Sequence, residues 1–243
     1  MTAKNRVENP AGANRENRPP DGATLDRNRL AHEERPCLVS CSALKAEIQE
    51  LVKRGDLDAD LVFVSKFFHG DYARLEESLR KVLGRTISRS GGRSVLVYGD
   101  LCLGPNDEMK KLAEEHGITK VNAVSCIDCL FGGKGNSSEA DPTHRLLLLD
   151  PGMIDFYRYL KDKARREGVD EDGFRQFFDG LKGIMLLDTL GDAAKNVEEI
   201  DRLNLGLPVL ETKRIELQNL KLVILEAIER SSRTDVRGKS GAH

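Results

Sequence analysis

Residues 59–99 read ADLVFVSKFFHGDYARLEESLRKVLGRTISRSGGRSVLVYG. ADLVFVS (59–65) is a short apolar run rich in β-branched and aromatic side chains, which predicts a strand. DYARLEESLRKVLGRTI (71–87) then repeats its apolar residues at helical spacing, with Asp71 placed to start the helix. RSVLVYG (93–99) is a second apolar run and predicts a second strand. A strand, a crossover helix and another strand in so short a span make a βαβ unit, and that unit implies parallel pairing.

The same alternation extends in both directions. Upstream lie the apolar run CLVS (37–40) and a helical pattern over 43–55 that ends in glycine. Downstream, a helix is expected at 106–117, opening on acidic residues and closing on glycine, as the helix dipole and the left-handed cap prefer. Strands are expected at 120–124, 144–150 and 183–189 and at LPVLE (207–211). Helices are expected at 151–168 behind an N-terminal proline, from Glu171, from Ala193 and from Arg214 to Arg230. Most of the strands are continuous apolar runs, the pattern of strands covered on both faces. The expected fold class is α/β, a mostly parallel sheet flanked by helices, Rossmann-like and doubly wound. Residues 36–230 are expected to form a single domain, and 1–35 and 231–243 disordered tails. Both tails are polar and too poor in large apolar side chains to offset their ordering entropy.

Composition narrows the function classes. The chain is 39% hydrophobic and 32% charged with a formal net charge of −2, so no overall basic field draws it to nucleic acid or a membrane. Tryptophan is absent and aromatics are 5%, which argues against a base-stacking platform. No apolar run approaches the ~20 residues of a membrane span, and the first residues lack the apolar core of a signal peptide. A cytoplasmic location without nucleic-acid or membrane partners is expected. In a reducing compartment the five cysteines are metal ligands, catalytic groups or core residues rather than structural disulfides.

In doubly wound sheets, ligands bind at the carboxyl ends of the strands. Cys41 follows the strand 37–40, Cys102 the strand 93–99, and Cys126 the strand 120–124. Pro151-Gly152 follows 144–150, and Asp188-Thr189 ends 183–189, so these turns are expected to line the same crevice. Cys37 begins its strand and belongs at the opposite rim. Three thiols from three strand ends can hold zinc or an iron–sulfur cluster with one position open, although buried free cysteine is also an ordinary small core residue. His69, after the second strand, and Cys129, one turn past Cys126, are further candidate ligands. Cys126-Ile127-Asp128-Cys129 also matches the C-x-x-C redox motif, but it follows a fourth strand rather than a first. The Gly132–Gly135 stretch lacks the spacing of a phosphate loop, and no G-x-G-x-x-G is present. Asp128 is read as a solvated loop carboxylate or a group that hydrogen-bonds a ligand.

CSALKAEI, FFHGDYARLEESL, VYGDLCLG, SCIDCLFGG, LLLLDPGMID and IMLLDTLG occur in that order. As an ordered set they resemble the prokaryotic family catalogued as domain of unknown function 1638, over about residues 37–230. The family pattern falls on Cys41, His69, Tyr98, Gly99, Cys102, Gly104, Cys126, Gly132, Pro151, Gly152, Asp188, Thr189 and Gly191. The resemblance thus implies a metal set of Cys41, Cys102 and Cys126, with Tyr98, Gly99, Gly104 and Gly132 beside the two turns as pocket lining. Ser42 replaces the family's glycine after Cys41, and Ser125 its aspartate before Cys126. Family members resemble proteins encoded near corrinoid-dependent methyltransferases in anaerobic bacteria and methanogenic archaea. That implies a zinc- or [4Fe–4S]-binding protein linked to corrinoid or methyl-transfer metabolism, with a corrinoid protein or methyltransferase as partner. The alternative is a non-catalytic accessory module for such a system.

Overall fold

A computed structural model describes residues 35–90 and 93–239. The α/β class is as expected, with parallel sheets flanked by helices. The strands β1 (Cys37–Cys41), β2 (Asp60–Val64), β3 (Ser94–Val97) and β4 (Thr119–Lys120) form one sheet in the order β2-β1-β3-β4. The strands β5 (Leu146–Leu149), β6 (Gly183–Asp188) and β7 (Val209–Arg214) form a second sheet in that order. Every pairing in both is parallel. The alternation in sequence implied parallel pairing, but not that the strands divide four and three.

The helices are α1 (Lys45–Lys53), α2 (Tyr72–Ser90), α3 (Glu108–Glu115), α4 (Cys126–Leu130), α5 (Ser137–Ala140), α6 (Pro151–Arg166), α7 (Glu171–Arg175), α8 (Ala193–Leu203) and α9 (Gln218–Lys239). Three strands exit into 3-10 turns rather than directly into helices: Ser42–Leu44 after β1, Lys66–Phe68 after β2 and Asp100–Leu103 after β3. β4 is only two residues long, so the stretch expected as a strand at 120–124 is mostly irregular loop. The expected N-terminal tail lies almost wholly outside the described residues. The expected C-terminal tail is corrected over 231–239, where α9 continues, and residues 240–243 lie outside the described residues.

Two apolar cores explain why one chain builds two sheets. β6 is buried along its whole length, and its alternate residues face opposite ways, as the period-2 strand requires. Met185 and Leu187 join the core of the first sheet with Leu38, Val39, Leu96 and Ile48. Ile184 and Leu186 join a second core with Leu149, Ile154, Phe174 and Ile200 under α6, α7 and α8. The second sheet therefore lends one face to the first half of the chain. α9 returns to complete the first core with Leu220, Val223, Ile224 and Ala227.

Candidate functional site

The loops that leave β1, β3 and β4 meet because one residue has no side chain. Gly99 ends the exit of β3, and a Cβ there would sit 2.2 Å from Ser125 Cα. Asp100 N–H donates to Ala123 O (2.9 Å) and Leu101 N–H to Val124 O (3.0 Å), which fastens the two loops edge to edge. Lys120 adds a clamp, its Nζ donating to the carbonyl of Val121 (2.6 Å) and pairing with Asp100 (2.7 Å).

Three thiols converge on that junction. Cys102, in the 3-10 turn after β3, has its sulfur 3.6 Å from that of Cys126, the first residue of α4. Cys41, the last residue of β1, caps the turn that follows, with Ala43 N–H donating to its sulfur (3.5 Å). Cys41 also acts on the Cys126 thiol and raises its pKa. All three residues are buried. The Cys102 thiol pKa is lowered, first by the hydrogen bond from Cys126, then by the N–H groups of Gly99 and Cys126 and the charge of Lys120, against the cost of burial. Cys126 is raised well above the ordinary thiol range, first by its contact with Cys102, then by Cys41, then by burial. Cys126 therefore favours its protonated form. The buried Tyr98 hydroxyl meets no partner at hydrogen-bonding geometry. Burial, then the charges of Cys41, Cys126 and Cys102, raises its pKa well above normal. It is a spare donor beside three sulfurs.

The other candidate ligands have different settings. Cys129 is fully buried, and its S–H donates to Ser125 O (3.7 Å). Burial and then the charge of Cys102 push its pKa up to about 12. Cys37 starts β1 at the far rim, as expected, and burial followed by the charge of Asp60 pushes it up to about 11. The ring of His69 packs edge-on to Phe156 of α6, with centroids 5.4 Å apart. Among the described residues, no group of three or more His, Cys, Asp or Glu side chains is already spaced to hold a metal ion.

Asp128 is not the solvated loop carboxylate that the sequence suggests. Fully buried, it accepts N–H groups from Val124 (2.9 Å), Gly135 (2.7 Å) and Ser137 (3.0 Å). The glycines at 132, 133 and 135 all have positive φ and wind the following loop around this carboxylate. Gly133 is also forced to be small, since a Cβ would lie 2.2 Å from Asn122 O. Gly132 and Gly104 thus serve backbone turns. The SCIDCLFGGKG stretch is one structural unit whose carboxylate holds Cys126 in place.

The Pro151-Gly152 and Asp188-Thr189 turns gather around a second group of polar side chains, at the seam between the two sheets. Gly152 seats α6 on the turn after β1, where a Cβ would lie 2.0 Å from Ala43 O. Lys66 reaches across to the Gly152 carbonyl and to Asp155 (3.5 Å). Thr189 donates its hydroxyl to Glu47 Oε1 (2.7 Å). Asp188 pairs with Arg214 (3.1 Å) and accepts the Gly191 N–H (2.7 Å). Glu47, Lys66 and Asp150 were not singled out in the sequence. Their only signal was position: Asp150 ends the run LLLLD, and Glu47 sits on the buried face of an otherwise ordinary helix.

The architecture is parallel α/β flanked by helices, with three buried cysteines in or just after the exits of β1, β3 and β4. The chain belongs to the family described as Protein of unknown function (DUF1638), which matches residues 63–221. That match takes in Cys102 and Cys126 and stops short of Cys41. No curated protein matches the chain. No solved structure matches it either.

Proposed function

We propose that the protein binds a soft metal through Cys41, Cys102 and Cys126, as zinc or a [4Fe–4S] cluster with one position left open. The observation that carries the reading is the convergence of three buried thiols from three separate strand ends, two of them with sulfurs 3.6 Å apart. Thiolates around zinc at ~2.3 Å stand about 3.8 Å from one another in a tetrahedral site, so this pair needs little adjustment. The N–H groups that face Cys102 favour its thiolate, and the unpartnered Tyr98 hydroxyl is available to donate to a metal-bound sulfur. An open fourth position on zinc activates a bound thiol or water as a Lewis-acid site, and an open iron takes a substrate atom. Either suits methyl transfer, the setting that the family resemblance implies, with a corrinoid protein or methyltransferase as partner.

Anaerobic purification followed by zinc, iron and acid-labile sulfide analysis tests the reading. The expected result is about one zinc, or about four irons with matching sulfide, per chain. Cys41→Ser, Cys102→Ser and Cys126→Ser should each remove most of it, while Cys129→Ser retains it. Protein that holds neither metal overturns the proposal. Cobalamin binding by that metal-free chain would then favour the accessory-module alternative. A second reading rests on the same 3.6 Å contact: Cys102 and Cys126 as a dithiol that would close to a disulfide by exchange with a substrate disulfide, which would leave as two thiols.

A further inference from the structure

We propose that Glu47 and Asp150 form a carboxyl pair that binds a single proton and thereby holds the seam between the two sheets closed. The inference is independent of any metal at the thiols. Asp150 lies between β5 and α6 and is completely buried. Neither of its oxygens meets a partner at hydrogen-bonding geometry, and it makes no cap bond to the helix it precedes. Glu47, on the buried face of α1, has one oxygen on Thr189 and the other unpartnered. A Cβ at Gly152 would lie 2.0 Å from Ala43 O and 2.8 Å from Asp150 Oδ1, so the Asp150 carboxyl lies against the turn that leads into α1 and Glu47.

The charges that face them leave room for one ionised carboxyl only. From the turn after β2, Lys66 acts on both acids, but its ammonium is bonded to the Gly152 carbonyl and Asp155. From α6, Tyr157 faces Asp150, and its hydroxyl is pushed up to about 12 by burial and then by the Asp150 charge. Thr189, after β6, is neutral, and its neighbour Asp188 is already paired with Arg214. With Asp150 protonated, Lys66 has only Glu47 and the exposed Asp155 to face. A second carboxylate would be a buried charge without a partner. Burial, then the charge of Glu47, accordingly raises Asp150 to about 8, and burial also raises Glu47.

The sign follows from linkage. The closed seam holds the Asp150 proton more tightly than an opened, solvated seam, where the carboxyl returns to ~3.9. The stabilisation is therefore full below about pH 4. It is lost about tenfold in the opening equilibrium per pH unit until the closed-state value near 8, and it changes no further above that. Opening would uncover the carboxyl pair at the carboxyl ends of both sheets, where it can give or take a proton.

Hydrogen exchange of the full chain from pH 5 to 9, corrected for intrinsic rates, tests the device. Exchange in segments 42–47 and 150–153 should accelerate about tenfold per pH unit up to about 8 and then level off. Segment 108–115, away from the seam, should show no such change. Asp150→Asn, which stays neutral, should flatten the profile, and Glu47→Gln should lower its upper limit. A side-chain carbon-13 titration of Asp150 in the unsubstituted protein decides the matter if the variants fail to fold. An Asp150 midpoint below about 5, or seam protection independent of pH, overturns the proposal.

Discussion

The thiol junction and the carboxyl seam sit on either side of the same turn, Ser42–Leu44, and are built in the same way. In each, a glycine lets one strand's exit press against another backbone: Gly99 against Ser125, and Gly152 against Ala43. The contents differ. The thiols have partners, with Cys102 and Cys126 in contact and Cys41 accepting a backbone N–H. The carboxyls retain three unpartnered oxygens. Burial is cheap for a thiol, which behaves as a small apolar group, and expensive for a carboxylate, which must keep its proton or find a cation. One cluster is therefore stable as it stands, whereas the other is stable only while it holds its proton.

The largest effect should come from removing the carboxylate that does have partners. Asp128→Ala removes a buried acceptor from three half-buried N–H groups and should cost about 2–4 kcal/mol in chemical denaturation, with Cys126 released from its neighbours. A loss under about 1 kcal/mol would mean that the loop re-forms around water.

The two glycines separate the clusters. Gly99→Ala should cost about 1–3 kcal/mol and impair metal binding, because the Ser125 backbone must retreat and take Cys126 away from Cys102. Gly152→Ala should cost a similar amount, about 1–3 kcal/mol, yet leave metal content unchanged and accelerate exchange in segments 42–47 and 150–153 at every pH. Paired metal analysis and hydrogen exchange on both variants check this. If each variant disturbs both clusters equally, the clusters are one cooperative unit.

Tyr98→Phe removes the spare donor while keeping the ring. The hydroxyl has no partner to lose, so stability should change by no more than about 1 kcal/mol, while metal affinity measured by chelator competition should fall. The smallest effect is expected at the far rim. Cys37→Ala should cost about 1 kcal/mol or less and leave metal content intact, and metal loss in that variant would undo the placement of β1.

What was legible in the sequence was local. The apolar runs 59–65 and 93–99 around an amphipathic helix carry the period of a βαβ unit, and parallel pairing follows from the length of the crossover. The rule that ligands gather at strand carboxyl ends selected Cys41, Cys102 and Cys126, and set Cys37 apart, without knowledge of strand order. Strand order, and the division into two sheets, depend on which residues face which core. Met185 and Leu187 look the same in sequence as Ile184 and Leu186, yet they belong to different cores. The end of α9 was misread because a polar composition signals disorder only where no neighbour supplies packing, and there the helix continues from residues that do pack, such as Ile224 and Ala227. Asp128, Glu47 and Asp150 were the least legible. A carboxylate in sequence looks solvated, and only the tertiary structure decides whether its oxygens meet backbone N–H groups, a hydroxyl or nothing, because those partners come from residues up to 142 positions away.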